Sequence, residues 1–408
     1  MIRFSNIRYL SLLILLVLTA LLYHTRFSNI ATIDEESNPL RPIIVLLTIV
    51  NVVLFFDIKA WIKSRFIKFF LSFVLIIELI GFVIDQMGIS KWYQVDAQNI
   101  LMSFLFLLIG YSNGIKISYK QLRFLVFVYS FFVAVAVYSQ LLQHAGGFVI
   151  TNLYISYGKN TMGVMCASSC IALLFLALFE EKKIFKYCAW MLFFIILILD
   201  VSIRARASYV TIFLISILCI YRFFKGRITR RIIVWAFAGI LLFMISLFLI
   251  PGFFNTIGEY IWNSFTQNQN MDDLSSGRTA LNKFAINIIN RSPLFGNLEL
   301  QYDYYGFRVH NYPLRVLSSY GILGSLPLLI LLFYFVIYVM KKIFKSGMVI
   351  QNIGFYVFMV PLIISLVEPT FPYSPGTGVI FSFVLLGFSI CQIETKKNHI
   401  FSYQNKYS

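Results

Sequence analysis

Charge is what this sequence has least of. Only 12% of its 408 residues are Asp, Glu, Lys or Arg while 59% are hydrophobic, a balance that excludes a soluble globule of ordinary composition. Acidic residues are the scarcer sign, 17 against 34 basic, and there are four histidines. Cysteine is sparse as well, and Cys166, Cys170, Cys188, Cys219 and Cys391 all fall inside or at the edge of apolar runs, where a thiol behaves as a small apolar group. Cys166 and Cys170 share a helix face, yet no His or further Cys lies near them in sequence. Gly-rich phosphate loops, zinc-ligand spacings and nucleophile elbows are missing. So are Gly/Ser linkers, low-complexity tracts and the two similar halves expected of a transporter built from inverted repeats. Asp272 and Asp273 are adjacent carboxylates of the kind a divalent metal can use, but they read as a solvated pair in a loop. Glu299, Asp303, Glu368, Asp85 and Asp200 are scattered, and no cofactor or metal is expected.

What is abundant is apolar sequence in runs of about 20 residues, the length a helix needs to cross a bilayer and twice that of a barrel strand. An all-α, polytopic membrane protein with about twelve transmembrane helices is expected, spanning 7–23, 40–56, 69–84, 97–111, 124–142, 161–179, 187–202, 207–223, 232–250, 312–340, 349–367 and 379–393. The first run follows Arg3 and Arg8 and lacks a small-residue cleavage site, so it reads as a retained anchor. Placing the N-terminus inside puts 23 of the 34 basic residues on the cytoplasmic side, as membrane topology favours. Both termini are then cytoplasmic. The charge of +17 sits in short clusters between spans, which argues against nucleic acid as a partner.

The chain thus reads as one membrane domain, 1–408, with a large external segment, 251–311, inserted between the ninth and tenth spans. Within it Leu281, Phe284, Ala285, Ile288 and Ile289 recur at helical spacing, opposite Asn282, Lys283, Asn287, Asn290 and Arg291. Ser275 or Ser276 can cap the start of this helix, and Pro293 with Gly296 ends it. A shorter stretch, 257–265, has similar spacing. Both helices also suit an interfacial position, with Trp262 and tyrosines as anchors.

Arg204 and Arg206 stand where the seventh span meets the eighth with almost no loop between them. Snorkelling to lipid phosphates would account for them. The outer side is not where basic residues normally collect, however, and guanidinium suits phosphate through its bidentate geometry, so an anion site facing the external loop is the sharper reading. Residues 274–324 add Arg278, Arg291, Arg308, His310 and Arg315 on the same side. His310, flanked by Arg308 and Asn311, is an imidazole able to take a proton from a hydroxyl at neutral pH.

In their order and topology these pieces resemble the bacterial O-antigen polymerase and O-antigen ligase family of membrane glycosyltransferases. The resemblance rests on Ala205-Arg206-Ala207-Ser208, Ser276-Gly277-Arg278, Arg291-Ser292-Pro293-Leu294-Phe295-Gly296, His310-Asn311-Tyr312 and Ser319-Tyr320-Gly321-Ile322-Leu323-Gly324, about a third of the chain. Arg204 competes with Arg206 for the first arginine, and Asn297 stands where a second glycine is common. The resemblance implies a polyprenyl-pyrophosphate-linked oligosaccharide as donor on the external face of the bacterial inner membrane. It further implies that Arg206 and Arg278 hold the pyrophosphate, that His310 activates the acceptor hydroxyl, and that the anomeric centre is inverted without a metal. Arg204, Arg291, Arg308, Asn311 and Arg315 are further candidates for binding glycan or phosphate. Membrane lipids and a chain-length regulator are the other partners expected. The leading reading is a polymerase of O-antigen or capsule repeat units; a ligase delivering glycan to a lipid A core or another acceptor shares the same donor chemistry. A polysaccharide flippase is the rival of another class, which should place charge within spans and needs no sizeable external loop.

Overall fold

The computed structural model describes residues 4–27, 38–55, 57–87, 91–114, 116–145, 159–203, 205–224, 278–297, 309–345, 349–368 and 378–395. Among these every regular element is a helix. In chain order they are α1 (Phe4–Ala20), α2 (Leu40–Leu54), α3 (Ile58–Lys63), α4 (Arg65–Gln86), α5 (Lys91–Gly114), α6 (Tyr119–Ala145) and α7 (Lys159–Phe179). There follow α8 (Lys183–Ser202), α9 (Arg206–Phe223), α10 (Arg278–Arg291), α11 (Tyr312–Lys345), α12 (Ile353–Ile364) and α13 (Ile380–Glu394).

Seven described helices are long and apolar enough to cross a membrane: Arg65–Gln86, Tyr93–Gly114, Tyr119–Gln143, Asn160–Phe179, Lys183–Ser202, Arg206–Phe223 and Tyr312–Lys345. Four more are apolar but shorter, Ile7–Tyr23, Leu40–Leu54, Ile350–Ile364 and Ile380–Glu394. The ninth run, 232–250, the stretch 257–265, and Ser275 and Ser276 lie outside the described residues.

The runs at 97–111 and 187–202 each belong to a longer helix. The run at 97–111 is the middle of α5, whose polar end remains helical because tertiary partners engage it: Tyr93 donates to the Gly324 carbonyl (3.0 Å) and Asp96 accepts from Arg315. The run at 187–202 begins instead at Lys183, and its lysines extend the helix past the apolar segment. An additional short helix, α3, interrupts the basic segment after the second run. Asp57 caps it by accepting from Ala60 N (3.1 Å), and Ser64 caps α4 by accepting from Ile67 N (3.2 Å).

α7 lies at the centre of the bundle. Its run of small residues, from Gly163 through Ala167, Ser168 and Ser169 to Ala172, lets neighbours close in, and nearly all of its apolar stretch is buried. α12 and α13 are also buried along most of their length, and α13 packs closely on α5. A side chain at Gly110 would overlap the Val384 carbonyl, and one at Gly387 that of Leu107, so these two backbones touch only because both positions lack a Cβ. α4 and α9 are peripheral, mostly exposed along their apolar stretches, and turn Leu75, Leu79 and Phe213 outward.

Contacts between helix ends sort into two sets. At one end Gln140 donates to the Tyr23 carbonyl, Tyr93 to Gly324, and Tyr312 N to Ser365 O (3.0 Å). At the other Trp61 donates to Ser112 (2.8 Å), Tyr111 to Glu394 (3.1 Å), Arg123 to Glu180 (2.9 Å) and Arg222 to the Ile343 carbonyl (2.6 Å). Arg65, Lys68, Lys116, Lys182, Lys183, Lys341 and Lys342 belong to the second end.

α11 is 34 residues long and is broken at Gly321, where φ is 61° and ψ −172°. Only glycine adopts that conformation readily. The turn that closes α10 docks into the break: Ile322 N donates to Pro293 O (2.8 Å), Leu323 N to Leu294 O (3.2 Å) and Asn297 N to Ser318 O (2.9 Å). Gly296, at φ 68°, lies against Gly321 with no room for a side chain at either position. Gly321→Ala is therefore expected to strain the backbone by roughly 1–3 kcal/mol and to push α10 off α11 through overlap with Leu294. A melting temperature in detergent equal to that of the wild type would refute this.

Candidate functional site

The site is assembled where α10 starts, α11 starts and α12 ends. Past α12 the chain continues in one tight turn, with Ser365 N bonded to Pro361 O (3.0 Å) and Glu368 N to Ile364 O (2.8 Å). Asn311 caps α11 by accepting from Leu314 N (2.9 Å), and its amide donates to the Leu366 carbonyl (2.8 Å). Together with the Tyr312–Ser365 bond, this stitches the start of α11 to the end of α12. His310 and Glu368 then face each other by construction.

Glu368 is the hub. Its side chain is 2% exposed, and each oxygen has its own partner: Oε1 accepts from Arg278 Nη2, and Oε2 lies 2.7 Å from His310 Nδ1. Arg278 and His310 remain partly open, at 33% and 28% exposure, so the carboxylate is sealed beneath two groups that reach solvent. A carboxylate acceptor fixes the hydrogen on Nδ1, which leaves Nε2 as the acceptor of the partly exposed ring. His310 stands next to the Asn311 cap of α11, so the partially positive N-terminus of that helix begins beside the carboxylate. The open face thus combines a guanidinium, a hydrogen-accepting imidazole nitrogen and the N-terminus of α11. Such a face can bind an anion and take a proton from a hydroxyl next to it. No group of three metal-ligating side chains gathers among the described residues.

The remaining candidates divide. Arg206 is exposed as the first residue of α9, at the same end of the bundle, and α9 packs on both α7 and α12. The corner beneath it is tightly made. Ser208 lies 2.6 and 2.7 Å from the two oxygens of buried Asp200 and donates within the turn to Ala205 O, while Gly163 of α7 accepts Ala205 and Ser208 at close range. Asn311 acts through its cap and its bond to Leu366. Arg291 lies at the other end of α10, thirteen residues or about 20 Å from Arg278 along the helix. Arg204 and Arg308 fall outside the described residues.

Arg315 has a different setting from the one expected for a glycan or phosphate ligand. It is buried, and Nη2 donates to both oxygens of Asp96 on α5 (3.0 and 2.9 Å), while Tyr320 donates to Asp96 Oδ2 (2.6 Å). This cluster holds the segment of α11 between His310 and the break against α5. Glu368, one of the scattered acids of the sequence, and Asp96, which no motif marks, are thus the acidic partners of Arg278 and Arg315. No local motif could signal them, since Glu368 is 90 residues from Arg278 and Asp96 219 from Arg315. The usable hint is general: in an end rich in arginine, each lone carboxylate beside a span is a potential counter-charge.

Neither a scan of the chain against protein-family models nor a comparison with curated proteins gives a match.

Removing one member of a buried ion pair leaves the other uncompensated, which typically costs about 3–5 kcal/mol. Asp96→Asn is accordingly expected to destabilise the protein strongly. Asp96→Asn with Arg315→Met should recover much of that loss in thermal unfolding, and a double variant no more stable than the single would contradict the pairing.

Proposed function

We propose that the chain is a polysaccharide polymerase of about twelve spans in the bacterial inner membrane, with both termini cytoplasmic, joining polyprenyl-pyrophosphate-linked repeat units on the external face. The observation that carries this reading is the convergence of Arg278 and His310, 32 positions apart in sequence, on the two oxygens of one buried carboxylate. An oriented base next to a guanidinium is the pair of functions that transfer from a diphosphate donor requires.

In this mechanism the acceptor sugar's hydroxyl oxygen attacks the anomeric carbon of the donor glycan as the bond from that carbon to the pyrophosphate oxygen breaks. The hydroxyl proton passes to His310 Nε2, and Glu368 stabilises the resulting imidazolium through Nδ1–H. The departing polyprenyl pyrophosphate leaves as an anion, held by Arg278 and by Arg206 from the neighbouring helix corner. Attack from the face opposite the leaving group inverts the centre. Glu368 also keeps Arg278 from collapsing elsewhere before the donor arrives.

His310→Ala and Arg278→Ala are each expected to reduce chain extension by about 10²-fold or more while the protein remains inserted. Glu368→Gln, which keeps the shape but not the charge, should lower kcat more than it raises KM. Full-length polymer from both alanine variants would overturn the mechanism. A deletion strain that accumulates lipid-linked polymer rather than single repeat units would make the protein a ligase, and reconstituted turnover that leaves chain length unchanged would make it a transporter.

A further inference from the structure

We infer that the turn closing α10 is seated in the bilayer, in the leaflet next to the site, with Leu294 and Phe295 among the acyl chains. Three observations converge on this, and none depends on the reaction proposed above.

The first is the length of α11 as a ruler. Its lysines at 341, 342 and 345 mark one polar boundary, and no charged residue lies between Arg315 and Lys341. Counting back from Met340, about 20 residues or 30 Å of helix, the thickness of the hydrocarbon layer, ends at the Gly321 break. The second is the attachment of the turn to α11. The turn is tied by backbone hydrogen bonds to Ile322 and Leu323, the first residues inside that boundary, so it cannot stand far above it.

The third is what the turn shows to its surroundings. Phe295 is 72% exposed and Leu294 51%. On α11 the exposed residues Leu323, Leu326, Phe333 and Ile337 form a stripe that runs down the length of the helix, and the turn continues it at its upper end. A helix that crosses the membrane presents that stripe to lipid, so the same lipid covers the turn. α10 itself exposes Lys283, Asn287 and Asn290, which keeps the helix body in the polar zone. Exposed Arg291, one residue before the turn, then lies at the polar edge, where its stem and guanidinium suit the step from chains to headgroups.

The consequence is a helix secured at both ends: one by lipid contact at Phe295, the other by the Arg278–Glu368 pair. α10 is then a lever of fixed length that presents Arg278 at a set height above the leaflet.

The test uses the full chain reconstituted in phosphatidylcholine and phosphatidylglycerol vesicles, with Cys188→Ser removing the exposed native thiol. A nitroxide is attached at Phe295→Cys, and separately at Leu294→Cys. Collision with oxygen, which partitions into lipid, is compared with collision with a water-soluble nickel chelate. Labels at Phe333→Cys and Lys283→Cys supply the lipid and water references. The expected result is an oxygen-dominated signal at 294 and 295 resembling that at 333. A nickel-dominated signal like that at 283 places the turn in water and overturns the inference. Low collision with both reagents means that protein, not lipid, covers the turn, and overturns it equally.

Discussion

Taking a carboxylate out of water costs several kcal/mol unless opposite charge and hydrogen bonds replace the water it loses. Glu368, almost wholly enclosed at the end of α12, meets that requirement with one partner per oxygen. Its demand for both partners explains why three chain segments that are remote in sequence end at one point. α10 must bring Arg278, α11 must bring His310, and the Asn311 cap must hold α11 in register with α12. The same geometry that satisfies the carboxylate leaves the guanidinium and imidazole partly exposed.

Beneath this layer a second buried carboxylate does the corresponding structural work. Asp96 gathers Arg315 and Tyr320 from the segment of α11 between His310 and the break, and fixes that segment to α5. The break at Gly321 permits this arrangement, because an unbroken helix would continue along the lower axis and carry no seat for the turn of α10. The two acidic residues therefore divide the labour. One organises the partly exposed Arg278 and His310, and the other sets the direction of the segment that delivers His310.

Much of this was legible from residue order. The apolar face of α10 follows from its periodicity, and Ala285 and Ile288 are buried as that pattern requires. Pro293 and Gly296 end the helix close to where they were read to do so, and Arg278, Arg206 and His310 stood out by residue type and position. Other features could not be read, because they depend on pairing across the bundle. The apolar run of α5 begins at 97, yet Tyr93 and Asp96 before it are helical, and α11 supplies their partners. Arg315 looked like one more basic residue in an anion site until its counter-charge on another helix became visible. Hydropathy likewise gives the apolar middle of a span, whereas its ends are decided by caps and ion pairs.

The break in α11 also has a metrical consequence. The nine residues from Tyr312 to Tyr320 stand above the hydrocarbon boundary as a pedestal of at most about 14 Å. Both the pedestal's foot and the turn of α10 meet the acyl chains at one level. A thicker or thinner bilayer must then be accommodated at the lysine-bearing end, by tilt or by snorkelling. The distance from His310 to the near lipid surface is thus insulated from membrane thickness, and the site is gauged from the leaflet it faces rather than from the bilayer midplane.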